Sequence, residues 1–102
     1  MDNTVRWLSY DFTVYTPTAS WNDVAGVYIF TGVNYLNQWV ALYVGQTDSF
    51  RNRIPSHEQW SPAVRRGATH IHAMVVPLAA TRDIVEGELI RAYHPPLNAQ
   101  LR

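Results

Sequence analysis

The sequence predicts a mixed α and β fold within a single domain, on three observations. Two short apolar runs, 26–30 and 41–45, are rich in β-branched and aromatic residues and flank a turn-prone segment, 31–38, holding Gly32, Asn34 and Asn37; this is the pattern of a β-hairpin. Residues 69–76 form a further strand-like run. Residues 81–93 carry apolar side chains at helical spacing and are followed by Pro95-Pro96, which ends a helix. The 102 residues leave room for one modest core and for no separate recognition domain.

From Val5 to Tyr15 the even positions Leu8, Tyr10, Phe12 and Val14 are apolar and the intervening Ser9, Asp11 and Thr13 are polar, which predicts one half-buried strand or extended arm. Thr16-Pro17-Thr18-Ala19-Ser20 ends it, and Trp21-Asn22-Asp23 turns into the hairpin. Alternation then puts Tyr28 beside Phe30, and Tyr43 beside Ala41 and Gly45, while Val27, Ile29, Leu42 and Val44 form an aliphatic core face. The tyrosine face also gathers Gly26 and Gly45, which allow close approach to the backbone. Two ordinary cross-strand aromatics would produce the same pattern.

After the hairpin, Asp48 or Thr47 is placed to cap a helix in which Phe50 and Ile54 share a face. Arg53 and His57 fall four apart, side by side if that helix is continuous. Pro55 opposes continuity, because it removes a backbone hydrogen bond and clashes with the preceding turn. Ser61-Pro62 opens a second short helix to Arg66, ended by Gly67. In the strand that follows, His70 and His72 share one face and Ile71 and Ala73 the other.

The last helix, capped by Thr81, gathers Val85, Leu89, Ile90, Ala92 and Tyr93 in one stripe. Glu86 falls inside that stripe, whereas Glu88 falls opposite it, exposed beside Arg91. A carboxylate on a core face is costly unless it is paired, protonated or metal-bound. A buried ion pair with an arginine is one way to satisfy Glu86, and a metal is another.

Composition narrows the chemistry. At 47% hydrophobic and 16% charged the chain is globular, and no apolar run reaches the roughly 18 residues of a membrane span. Met1-Asp2-Asn3 lacks the basic and apolar regions of a signal peptide, so a soluble, cytoplasmic protein is expected. The absence of cysteine excludes disulfides, thiol nucleophiles and thiolate metal sites. Zero net charge argues against strong general binding to nucleic acid. All eight basic residues are arginines, whose planar forks suit bidentate phosphate contacts, and Arg51, Arg53, Arg65 and Arg66 cluster with only Glu58 opposing them. A solvated helical face accounts for that cluster equally well.

Taken in order, these residues resemble the GIY-YIG nuclease family. Gly26-Val27-Tyr28 stands in place of the first triplet and Tyr43-Val44-Gly45 in place of the second, each with valine for isoleucine. Arg53 follows ten positions beyond the second tyrosine, with the aliphatic Ile54 next to it. Glu86-Gly87-Glu88-Leu89-Ile90 matches an E-x-x-L-I segment, and Pro95 and Asn98 match the proline and terminal asparagine. His57 resembles a histidine that several members carry four residues after the arginine. The resemblance spans 25–98 and selects Glu86 over Glu88. Pro55, the long excursion between the tyrosines and the absence of lysine depart from the family pattern.

The resemblance implies an α+β domain at 25–102, with a central three-stranded antiparallel β-sheet flanked by helices and 1–24 as an extra N-terminal strand or arm. It implies a divalent-metal-dependent endonuclease acting on DNA, single-stranded or duplex. Glu86 would be the sole protein ligand of one Mg²⁺ or Mn²⁺ ion per site, and Arg53 would bind the scissile phosphate. Tyr28 would be the general base, with His57 accepting its proton, and Tyr43 would hold the phosphate or the water. Asn98 would order the end of the chain behind the site. Arg51, Arg53, Arg65 and Arg66 are the candidate nucleic-acid contacts. One site cuts one strand, so a double-strand break needs a homodimer or two encounters. Two other readings stand beside this one. The first is a non-catalytic nucleic-acid-binding module that retains the nuclease fold; the second is a metal site of His70 and His72 with His57 or His94.

Overall fold

The computed structural model describes residues 3–99. Met1, Asp2 and residues 100–102, the outer ends of the expected segments 1–24 and 25–102, lie outside the described residues. Five strands, β1 (Thr4–Trp7), β2 (Tyr10–Tyr15), β3 (Gly26–Val33), β4 (Trp39–Thr47) and β5 (Ala68–Val75), form one sheet in the order β1-β2-β5-β3-β4, with every pairing antiparallel. The helices are α1 (Phe50–Arg53), α2 (Trp60–Arg65), α3 (Ala79–Tyr93) and α4 (Pro96–Ala99), with a 3-10 turn at Ile54–Ser56.

The sheet therefore has five strands where three and one N-terminal strand or arm were expected, because the N-terminal segment supplies two strands that join the sheet. The apolar period runs through Leu8 without a break, yet Leu8 takes a left-handed φ of 56°, so the chain reverses there into a hairpin. Trp7 and Phe12 are buried while Leu8 is exposed. Trp7 Nε1 donates to His72 Nδ1 at 2.9 Å, the Leu8 amide donates to Tyr93 Oη, and Tyr10 Oη donates to Glu88. Glu88 is thus half-buried and engaged, not free beside Arg91.

Both faces of the sheet are covered. Tyr28, Phe30, Tyr43, Ile71 and Ala73 pack with Phe50, Ile54, Ala63 and Leu97 from α1, the 3-10 turn, α2 and α4. Val27, Ile29 and Val44 pack with Val85 and Leu89 of α3 and with Trp7 and Phe12 of the N-terminal hairpin. The tyrosine face is consequently a second core. Two side chains of the hairpin change sides. A bulge after Phe30 pairs Thr31 with Ala41 and leaves Leu42 extra, so Leu42 joins the tyrosines and Ala41 joins Val44.

Local signals also shift. Ser49, not Asp48 or Thr47, caps α1: its Oγ accepts from the Asn52 amide, while Thr47 Oγ1 accepts from the Ser49 amide. Pro55 limits α1 to one turn, and His57 leaves the 3-10 turn with extended backbone. The second helix begins at Trp60 with Gln59 in the cap position, ahead of Ser61. The long helix begins at Ala79, so Thr81 lies inside it; Arg82 Nη1 donates to the carbonyls of Val76 and Pro77 and fastens the approach to that helix. Among the described residues no helix is long and apolar enough to cross a membrane.

Tyr28 and Gly45 are cross-strand partners, and the phenol ring lies directly over Gly45, where a Cβ would collide with its Oη, Cζ and Cε2. Gly45→Ala is expected to cost about 1–3 kcal/mol, the usual cost of overpacking a close-packed core. Urea denaturation measures it, and wild-type stability would mean that the ring does not rest on the strand.

Candidate active site

The phenol of Tyr28 is 1% exposed, and a buried hydroxyl needs a polar partner. His57 Nε2 provides it at 2.6 Å from Oη. The break at Pro55 delivers this contact, since His57 reaches the tyrosine from extended backbone beyond the helix. His57 Nδ1 in turn accepts from the Gln59 backbone amide at 3.0 Å. The imidazole is packed edge-on against the rings of Tyr28, Phe30 and Tyr43.

Arg53, on α1, lies beside Tyr28, and its charge reaches Tyr28, Tyr43 and His57. Both outer nitrogens of its guanidinium are taken by Glu58, at 2.7 and 2.6 Å, the bidentate geometry that a phosphate would also adopt. The bond to Arg53 holds the Glu58 carboxyl down at about 2 and drives the guanidinium pKa up. Burial pushes Tyr28 well above the ordinary phenol range, with Tyr43 adding to the rise and Arg53 opposing it. Burial also raises Tyr43, and Glu86 raises it further. His57 is lowered to about 4 by burial and by Arg53.

Glu86 comes from α3, on the opposite side of the sheet from α1, and meets β4 at its edge. It is half-buried at the flank of the apolar stripe, whose buried centre is Arg82, Val85 and Leu89. Its Oε1 accepts from Gln46 Nε2 at 3.0 Å, and the same amide donates to Asp83. Among the described residues the ion pairs are Arg6–Asp11, Arg51–Asp23 and Arg53–Glu58, so no arginine among them is paired with Glu86. The described residues contain no group of three or more side chains arranged to hold a metal. A half-buried carboxylate with only Asp83 beside it on the same amide suits a hard cation that keeps most of its waters, and not one that needs a full set of protein ligands.

The other predicted residues divide. Asn98 pairs with the Val44 backbone in both directions at 2.8 Å, fixing β4 between Tyr43 and Gly45. Arg51, paired with Asp23, and Arg65 and Arg66 are exposed on or beside the two helices that cover the tyrosine face. His70 and His72 share a face against Trp39, but His72 is buried and its Nδ1 is used by Trp7. Neither His57 nor His94 joins them in a metal-binding group, which removes that reading. Glu58, Gln59 and Gln46 were not found from sequence. Glu58 was visible as the single opposing charge among the arginines, whereas the other two act through positions that only the chain path reveals.

No protein-family model matches the chain. Two curated relatives are both UvrABC system protein C. That of Methanothermobacter thermautotrophicus is 34% identical over 85 residues, 78% of this chain and 14% of the relative; that of Gemmatimonas aurantiaca is 34% identical over 84 residues, 76% and 13%. Among solved structures, the GIY-YIG N-terminal endonuclease domain of UvrC from Thermotoga maritima, bound to its catalytic divalent cation magnesium, superposes with a TM-score of 0.59 at 28% identity over 74% of this chain and 83% of that domain. The chain belongs to the GIY-YIG nuclease family. It spans about one seventh of the length of the curated relatives, and most of the Thermotoga domain. The cation in that solved GIY-YIG domain is described as catalytic.

Burial also holds His72 at about 4, like His57. Both lie below the unfolded value of 6.5, so as pH falls through 6.5 the unfolded chain takes up protons that the folded chain refuses, and stability declines toward pH 4. The expected loss by pH 5 is on the order of 2 kcal/mol per histidine, with a plateau above pH 7. Urea midpoints between pH 5 and 8 measure it, and a flat profile would mean that these imidazoles titrate normally.

Proposed function

We propose that this domain is a divalent-metal-dependent endonuclease that hydrolyses phosphodiester bonds of DNA. The observation that carries the reading is that Tyr28 and Tyr43 share one face of the sheet under the influence of Arg53, while Glu86, which also acts on Tyr43, sits at the edge of β4 on Gln46 beside Asp83. The magnesium in the Thermotoga domain supports the choice of cation. Glu86 would be the protein ligand of one Mg²⁺ or Mn²⁺ ion, which when bound supplies charge neutralisation at the phosphoryl and leaving oxygens. Arg53 exchanges Glu58 for the scissile phosphate and offsets the charge that builds up as the bond breaks. Tyr43, whose phenol feels both Arg53 and Glu86, orients the phosphate or the water. Tyr28 acts as the general base, its phenolate oxygen taking a proton from the attacking water. Asn98 keeps the strand carrying Tyr43 in register. Arg51, Arg65 and Arg66 contact the flanking backbone of the DNA, and a homodimer would cut both strands.

A non-catalytic binder with the same fold is the second reading, and Glu58 occupying Arg53 favours it. A nicking assay separates the two. Glu86→Gln is expected to abolish Mg²⁺-dependent cleavage, scored with and without chelator, while DNA binding by gel shift survives. Undiminished cleavage by that variant would rule out the metal assignment.

The base assignment has its own signature. With His57 neutral down to about 4 and Tyr28 pushed high, the phenolate fraction grows tenfold per pH unit across the neutral range. The logarithm of kcat/KM should therefore climb with a slope near one from about pH 6 to 9, without a histidine plateau, and Tyr28→Phe should lower the rate by about 10² or more. A plateau near pH 7, or a Tyr28→Phe variant close to wild-type rate, would remove Tyr28 from this role.

A further inference from the structure

We propose that His57 serves the site as a hydrogen-bond donor to the Tyr28 oxygen, fixed in its Nε2–H form by the backbone amide of Gln59. The proposal rests on the nuclease reading and reverses the direction expected from sequence, in which His57 takes the phenol's proton.

A ring nitrogen that receives an N–H bond carries no proton of its own, and Nδ1 receives one from Gln59 at 3.0 Å. The neutral ring then has its proton on Nε2, and the doubly protonated ring, which would aim N–H at N–H, is excluded. Because Nε2 lies 2.6 Å from Tyr28 Oη, the imidazole donates there. The phenol's own hydrogen must point away from His57.

The surroundings hold this state. Gln59 sits in the cap position of α2, where backbone amides have no intrahelical acceptor, so its N–H is free to serve the ring. The backbone on either side is pinned, with the His57 amide on the Ile54 carbonyl and the Trp60 amide on the His57 carbonyl. The rings of Phe30, Tyr43 and Tyr28, with centroids at 4.9, 5.2 and 5.4 Å, hold the imidazole in its plane, and the bonds at Nδ1 and Nε2 select its orientation. The charged and titratable groups that act on it are Arg53 and Glu58, with the phenols of Tyr28 and Tyr43 packed against it. Arg53 opposes a proton on the ring, and Glu58 favours one but is drawn to Arg53.

A donor to an oxygen favours the charged form of that oxygen. His57 and Arg53 therefore work on Tyr28 from two sides and offset part of the burial that disfavours its phenolate. In the reaction the proton lost by water arrives on the Tyr28 oxygen and later leaves to solvent. The Nε2 proton of His57 stays where it is throughout. His57 is a positioning residue, acting on substrate only through Tyr28.

Two experiments on the full chain test this. Long-range ¹H–¹⁵N spectra of the uniformly labelled protein, with His57 assigned by its loss in His57→Gln, should give protonated Nε2 and bare Nδ1 from pH 6 to 8; a proton on Nδ1, or on both nitrogens, in that range overturns the proposal. In cleavage assays on variants whose thermal unfolding remains cooperative, His57→Gln keeps an N–H donor and should remain within about tenfold of wild type, while the acceptor-only His57→Glu should lose about 100-fold, the worth of a bond to a charged oxygen. The reverse order would mean that a proton acceptor is needed. The spectra require neither metal nor DNA, so a wild-type chain that fails to cleave would sink the nuclease reading and leave the tautomer decided on its own terms.

Discussion

The buried phenol of Tyr28 is the constraint on which the rest of the molecule depends. It lies on β3, an inner strand paired on both sides, and its ring is pressed flat on β4 because Gly45 has no Cβ. A hydroxyl in that position must be satisfied from above, and His57 satisfies it. This requirement fixes the path of the chain from β4 to β5: one turn of helix, a break at Pro55, an extended residue, then α2. Arg53 lies on that short path and so arrives beside both tyrosines.

Electrostatics in the site follow from its being half core and half rim. The two phenols and the imidazole are packed among Phe30, Phe50 and Leu97, which keeps all three neutral near neutral pH. The charges stand outside them: Arg53 with Glu58 on one side, and Glu86 with Gln46 and Asp83 on the other, carried by the helix that packs on the opposite face. β4 is the partition between them, and Tyr43 is the side chain on it that feels both.

Much of this was legible in the residues. The alternation at Tyr28 and Phe30, and at Ile71 and Ala73, is correct because β3 and β5 run straight through those positions. The spacing of the two triplets, Arg53, Glu86 and Asn98 identified the family because each spacing reflects a fixed path across the sheet. What failed did so where a single backbone angle or an extra residue intervenes. Leu8 reverses the chain inside an unbroken apolar period, and the bulge at Phe30 moves Leu42 to the other face. The Ser49 cap displaced Asp48 and Thr47 because three adjacent residues could all accept, and sequence does not rank them. Gln59 acts through its amide, a group that every residue but proline has, so no residue pattern could have marked it.

Asn98 and the N-terminal hairpin share a consequence that concerns solubility more than chemistry. A three-stranded sheet β4-β3-β5 has two raw edges on which a foreign strand can add. At β4 the Asn98 side chain takes the Val44 amide and carbonyl, doing with one amide group what a neighbouring strand would do. At β5 the hairpin supplies a real neighbour and moves the outer edge to β1, four residues long and carrying Arg6 against Asp11. A short charged edge is a poor template for aggregation. The asparagine behind the site is thus also a plug against polymerisation, and the extension that distinguishes this chain from a bare three-stranded domain is its counterpart at the far edge.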